Sequence, residues 1–257
     1  MNPRQILIAL WTLVVKEVRR FTRIWPQTLL PPSITMTMYF IIFGNLIGSR
    51  VGEMDGFSYM AYIVPGLIMM SVITNSYSNV ASSFFSNKFQ RSVEEMMVSP
   101  MPSWVILGGF VLGGMSRGLG VGLIVTLVSL FFTDLTIHHP LVTIGVVTMT
   151  AALFSIGGFI NALLANKFDD ISIVPIFVLT PLTYLGGVFY SIDMLPDFWQ
   201  GVSMVNPILY MVNAFRYGIL GVSDIPVGGA LVAVALFIVA FFAVALWMLE
   251  RGKGIRS

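Results

Sequence analysis

The sequence predicts an all-α membrane protein. Six transmembrane helices follow an amphipathic interfacial helix, with a short amphipathic helix in one connection and a re-entrant helical pair in another. Three observations carry this. Hydrophobic residues make up 56% of the 257 and charged residues 10%, with a mean hydropathy of +0.88, which leaves too little polar surface for a soluble domain. The apolar residues fall into separate blocks long enough for a helix to cross a hydrocarbon core, which takes about 20 residues. Lys and Arg then sort asymmetrically among the connections between those blocks.

Residues 1–25 form the first element. Ile6, Leu10, Leu13, Val14, Val18 and Phe21 recur near helical spacing, with Arg4, Lys16, Arg19, Arg20 and Arg23 largely off that stripe. Such a helix lies at the membrane interface with its cations toward anionic headgroups, or packs on a partner in the cytosol. Its basic flank stands where a signal peptide would carry a small-residue cleavage site, so the segment is expected to be retained. Pro26 ends it, and a six-span domain occupies 26–257. The spans are expected near 27–47, bent close to its start by Pro31 and Pro32, then 59–81, 105–132, 141–164, 171–190 and 227–249. Six crossings put both termini on one side. Arg4, Lys16, Arg19, Arg20, Arg23, Lys88, Arg91, Lys167, Arg251, Lys253 and Arg256 fall on that side, Arg50 and Arg216 on the other, and Arg117 within the third span. The positive-inside bias therefore predicts cytoplasmic termini.

Much chemistry is excluded. Without cysteine there is no disulfide, thiolate metal site, iron–sulfur cluster or cysteine nucleophile. None of Lys16, Lys88, Lys167 and Lys253 has the G-x-x-x-x-G-K-[ST] surroundings of a nucleotide-phosphate cradle. HExxH and a carboxylate pair inside a span are also missing, which disfavours an enzyme in its own right. No nucleic-acid surface is indicated. His138 and His139 are adjacent in an outer loop, share no helical face for a metal, and are expected to be solvated.

Three places remain for function. In the second connection, Phe89, Val93, Met96 and Met97 share a helical face and leave Arg91, Glu94 and Glu95 for another surface. That pattern fits a helix seated in a partner's groove, or a capped helix at the membrane edge. The segment Ser191–Pro226 is too apolar for an exposed loop. Leu195, Phe198, Trp199 and Val202 read as one short helix, Asn206 and Pro207 interrupt, and Ile208, Leu209, Val212 and Phe215 begin another. Two helices dipping into the outer leaflet would cap a translocation path or serve as a structural lid. In the third span, Gly109, Gly113, Gly114, Gly118 and Gly122 give overlapping GxxxG spacings for close helix packing. Arg117 beside them must face protein or water, with backbone carbonyls, Asn161 or a hydrated cavity as candidate partners, in a structural or substrate-contacting role.

The order of these features resembles the type-2 ATP-binding-cassette exporter permease family. The most specific stretch is FDDISIVPIFVLTPLTYLGGVFYSIDMLPDFWQGVSMVNPILYMVNAFRYG at Phe168–Gly218, with its LGGVFY, LP-x-x-W and NP-x-x-Y elements. IIFGNLIG (Ile41–Gly48), VPGLIMMSVITNSYSNVASS (Val64–Ser83) and KFQRSVEEMMVSPMP (Lys88–Pro102) support it. The resemblance implies a homodimeric permease in a bacterial cytoplasmic membrane, without a cofactor of its own. Two copies of a separate ATPase subunit would bind ATP and Mg. It further implies a coupling helix carrying Phe89, Arg91, Glu94 and Glu95, and a re-entrant gate carrying Trp199, Asn206, Pro207, Tyr210 and Arg216. The exported substrate is not specified. An ATP-independent secondary transporter or channel, or a membrane scaffold, are the alternatives; the internal inverted repeats and intramembrane ionisable pairs expected of the former are not evident.

Overall fold

The computed structural model describes residues 1–254, so Arg256 of the basic tail lies outside the described residues. Helix α1 (Pro3–Arg23) starts with a proline in its first turn and a reciprocal Asn2–Gln5 cap, the Asn2 N–H donating to Gln5 Oε1 at 2.9 Å. The chain turns at Ile24. Pro26 then sits in the first turn of α2 (Trp25–Val51), where its missing N–H leaves no intrahelical bond unmade. α2 is interrupted at Leu29, just ahead of Pro31 and Pro32 where a bend was expected, and widens into a π-helical stretch over Phe40–Ile47. A two-stranded hairpin follows, β1 (Glu53–Met54) against β2 (Phe57–Ser58). Asp55 and Gly56 turn it with φ of 51° and 80°, the left-handed pair that a tight hairpin requires.

Helix α3 (Tyr59–Phe89) is the central rod, capped by Ser58, whose Oγ accepts from the Ala61 N–H (3.3 Å). After a sharp turn come α4 (Ser92–Val98), α5 (Ser103–Ser129), α6 (Pro140–Leu164) and α7 (Asp170–Tyr184). A single 3-10 turn (Ile192–Met194) leads to α8 (Asp197–Met204), α9 (Pro207–Leu220) and α10 (Val227–Glu250). Five of these helices, α2, α3, α5, α6 and α10, are long and apolar enough to cross a membrane, and α7 is a shorter apolar helix. The expected fifth span, 171–190, thus stops at Tyr184. The reason is local: Gly186 and Gly187 follow at once, Gly187 has φ 68°, and the chain turns back there. Conversely, α3 runs on past the expected limit of 81 to Phe89.

α3 packs against α5, α6 and α9 and is buried along most of its length. Two apolar cores flank it. One gathers Tyr62, Ile63, Leu67, Val188, Leu209 and Val212; the other gathers Phe84, Phe85, Val93, Phe110, Phe159 and Leu249. Within the second, Phe84 meets Phe110 edge-on with centroids 5.1 Å apart.

The glycines of α5 divide between two faces. A Cβ at Gly109 would stand 2.6 Å from that of Leu13, and Gly113 is set against Glu17 in the same way, so this face receives α1. Gly114, Gly118 and Gly122 form the other face, pressed against Ser76, Val80 and Val72 of α3. Gly118→Leu is expected to destabilise the protein by about 2 kcal/mol or more through overpacking. Gly120→Leu, where a side chain meets open space, should be neutral or slightly stabilising, since glycine costs about 1 kcal/mol in a helix interior. Thermal unfolding of the two variants in detergent makes the comparison.

Candidate functional site

Three polar assemblies stand out. The first lies at the end of the bundle that carries both termini. Arg91, with φ 60°, makes the left-handed turn that separates α3 from α4. Val93 is fully buried in the second core, and Met96 and Met97 pack on its margin. Phe89 belongs to the last turn of α3 and is 67% exposed, with Phe168 5.2 Å away, centroid to centroid. The four expected face-sharing residues are therefore split, because the turn at Arg91 rotates α4 relative to α3. The apolar side of α4 is used up by the chain's own core. What α4 offers outward is chiefly charge, Val98 at its end being the exposed apolar exception: Arg91, Glu94 and Glu95 are exposed, the two glutamates in the first turn where a helix favours acids. Lys88 locks the neighbouring connection, its Nζ donating to the carbonyls of Leu163 (2.8 Å) and Ala165 (2.5 Å) at the end of α6. Gly254 lies against the same Leu163 carbonyl, and Lys16 of α1 donates to Asn87 Oδ1 at 2.8 Å.

The second assembly is the elbow between α1 and α2. Arg117 Nη2 donates to the Thr28 carbonyl (3.5 Å) and to Asn75 Oδ1 (3.3 Å). Asn161, a candidate partner from sequence, instead donates to the Ile171 carbonyl at 3.1 Å and ties α6 to α7. Arg20 donates through Nη2 to both the backbone carbonyl (3.0 Å) and Oδ1 (2.8 Å) of Asn79, and through Nε to Glu17 (3.4 Å). Glu17, 1% exposed, was not singled out from sequence. Its signal is the match of Leu13 and Glu17, four residues apart, to Gly109 and Gly113. The same match explains α1 itself, whose Leu13 and Phe21 are buried by the protein, while Leu7, Ile8 and Trp11 form a second apolar face that is left exposed.

The third assembly is at the opposite end. Asn206 caps α9 through Oδ1, which accepts from the Ile208 N–H (3.0 Å), and its Nδ2 donates to the Leu182 carbonyl (2.6 Å). Pro207 takes the first helical position, and the Tyr210 hydroxyl donates back to the Met204 carbonyl at 2.6 Å, bracing α8 against α9. Trp199 is half-exposed on α8 beside Phe198. Arg216, read from sequence as a basic residue of the outer side, is fully buried. It donates to the Gly187 carbonyl, sits 4.0 Å over the Tyr62 ring, and lies 3.9 Å from Asp224 Oδ2, which also accepts from the Ile192 N–H (3.1 Å). One guanidinium thus gathers α3, the turn after α7 and the segment after α9. His138 and His139 are exposed as expected, yet held: His139 stacks on Tyr217 with centroids 4.6 Å apart, and His138 Nδ1 bonds the Ile219 carbonyl at 2.7 Å.

Residues 8–220, from α1 to the end of α9, match the family model described as ABC-2 type transporter. The chain belongs to the ABC-2 type transporter family. It is 58% identical over 250 residues to the inner membrane transport permease YadH of Escherichia coli (strain K12), covering 97% of this chain and 98% of that one. It is 25% identical over 223 residues to nodulation protein J of Rhizobium meliloti (strain 1021), covering 83% and 82%. The counterpart in Rhizobium leguminosarum bv. trifolii is 26% identical over 224 residues. As an ABC-2 type transporter protein, the chain is the membrane permease subunit of an ATP-binding-cassette transporter, and its partner is an ATPase subunit.

Breaking the buried Arg216–Asp224 pair by Asp224→Asn leaves a charge in an apolar core and is expected to cost about 3 kcal/mol or more. Arg216→Met combined with Asp224→Leu should recover a large part of that loss. Thermal unfolding of the single and double variants in detergent measures both.

Proposed function

We propose that the chain is the path-forming half of an exporter, driven by ATP that a separate subunit binds with Mg and hydrolyses. Residues 1–25 act as a connecting helix, and 26–257 as the permease domain. α7 and the turn that follows it complete the sixth crossing beside the five long helices, so that both termini stand in the cytoplasm. The bias of Arg4, Lys16, Arg19, Arg20, Arg23, Lys88, Arg91 and Lys167 toward the end with the termini supports this orientation. The name of the Escherichia coli relative supports a place in the bacterial inner membrane.

Two copies of the chain enclose the path and seat two ATPase subunits. The observation that carries the coupling role is the way α4 is mounted. Its apolar face is anchored in the bundle and its acidic face is bare, so a push on Glu94 and Glu95 is delivered to α3 rather than absorbed in a loose loop. At the outer end α8 and α9, with Trp199, Asn206, Pro207, Tyr210 and Arg216, form the re-entrant gate. Arg216 fastens it to α3, the helix on which α4 is mounted. ATP-driven closure of the partner pair would tilt the two permease copies and open the path outward.

Glu94→Lys with Glu95→Lys reverses charge on exposed positions and should leave the fold intact. We expect complex formation with the ATPase subunit to weaken by about tenfold or more, as like charges meet across the contact, with loss of transport-coupled hydrolysis. Co-purification and nucleotide-dependent transport in reconstituted vesicles provide the measurement. Unchanged assembly and unchanged coupling would remove α4 from this role.

A further inference from the structure

We propose that the elbow between α1 and α2 is a binding site for the phosphodiester headgroup of an anionic membrane lipid, held between Arg117 and Arg20. The two guanidiniums are set side by side by α3. Arg117 bonds Asn75 and Arg20 bonds Asn79; residues four apart on a helix have Cβ atoms about 6 Å from each other, which brings both cations within reach of one oxyanion. Their charges are only partly answered. Glu17 pairs with Arg20, and among the described residues no carboxylate lies within ion-pair distance of Arg117. Two cations against one carboxylate leave a single positive charge, which a phosphodiester monoanion neutralises.

The hydrogen bonding is also incomplete, on the donor side and at Glu17 Oε1, which is buried without a partner. Both bonds of Arg117 come from Nη2, at 3.5 and 3.3 Å, while its Nε is buried without a partner. Asn79 Nδ2 and Ser76 Oγ are likewise buried and unpartnered nearby on α3. A guanidinium carries five donors in a rigid fork suited to the oxygens of a phosphate. Unanswered donors at low dielectric are costly, so a ligand that accepts from the part-exposed guanidiniums of Arg117 and Arg20 is favoured.

The position suits a headgroup rather than a solute in mid-membrane. α1 and α5 run side by side, Leu13 on Gly109 and Glu17 on Gly113, and Arg117 comes one turn later on that face, level with Thr28 at the start of the first span. Arg117 therefore stands level with the start of the first span, although it falls midway along α5. Arg19 and Arg23 are exposed on α1 close in sequence to Arg20, and Trp25, 53% exposed, provides an interfacial anchor. Occupancy of this site is independent of what the permease carries.

The test is lipid binding by native mass spectrometry of the full-length protein in detergent, titrated with phosphatidylglycerol, phosphatidylcholine or inorganic phosphate. We expect phosphatidylglycerol to bind more tightly than phosphatidylcholine, and Arg117→Gln to lower the phosphatidylglycerol affinity by about tenfold or more without changing that for phosphatidylcholine. Arg117→Lys should restore part of the difference, which separates lost charge from lost folding. Arg19→Gln with Arg23→Gln should have a much smaller effect. Equal affinities for the two lipids, or wild-type phosphatidylglycerol binding by Arg117→Gln, would overturn the site. Displacement of phosphatidylglycerol by inorganic phosphate would overturn its assignment to a lipid.

Discussion

The two-sided glycine face of α5 is the contact on which the rest of the arrangement depends. Lipid supplies no hydrophobic force between helices, so close van der Waals packing and interhelical hydrogen bonds hold a membrane bundle together. Gly109 and Gly113 admit α1 on one side, and Gly114, Gly118 and Gly122 admit α3 on the other. α1, α3 and α5 are thereby joined along their lengths. α4 is mounted at the tip of α3, and Lys88 extends the joint to α6 through two backbone carbonyls. The exposed charges of α4 thus have a continuous packed path into the bundle.

The two interior arginines express one constraint in opposite ways. Charge within a bilayer must be paired, hydrated or buried in protein. Arg216 is buried completely against an aromatic face, a backbone carbonyl and a carboxylate 3.9 Å away, with its Nε and Nη1 left without hydrogen-bond partners, and the result is a staple between α9, α3 and the turn after α7. Arg117 is left open. It has long bonds, no carboxylate and a second guanidinium alongside, the arrangement of a site rather than a staple. Side-chain chemistry is the same in both; the presence or absence of an acid within reach decides the role.

Hydropathy and charge bias made the bundle legible, because a helix in lipid must be long and apolar whatever its neighbours are. Caps and turns were legible where a residue type demands them, as with Pro26, Asn206 and Pro207. Three things were not. The end of α7 at Tyr184 depends on a backbone reversal at Gly187, and a hydropathy window averages over it. The Asp55-Gly56 hairpin is shorter than any strand pattern. The third is which face of an amphipathic helix meets protein, since spacing gives a face but not its partner: the apolar side of α4 and much of the stripe on α1 turned out to serve the chain's own core. Of the site residues, Glu94, Glu95 and Trp199 are exposed as a surface role needs, whereas Arg216 sits in the interior because Asp224, eight residues on, returns to meet it. Glu17 could have been found by matching α1 to the glycine spacing of α5.

Joined through the glycine faces of α5, α1 and α5 are expected to move as one body with α3 while the transporter cycles. The absence of cysteine lets a single introduced pair be labelled without background. Spin labels at the exposed positions Thr12 on α1 and Leu112 on α5 report the distance between the two helices, in the complex with its ATPase, before and after nucleotide is trapped. One unchanged distance distribution is the predicted result. A second population appearing on nucleotide trapping would contradict the account.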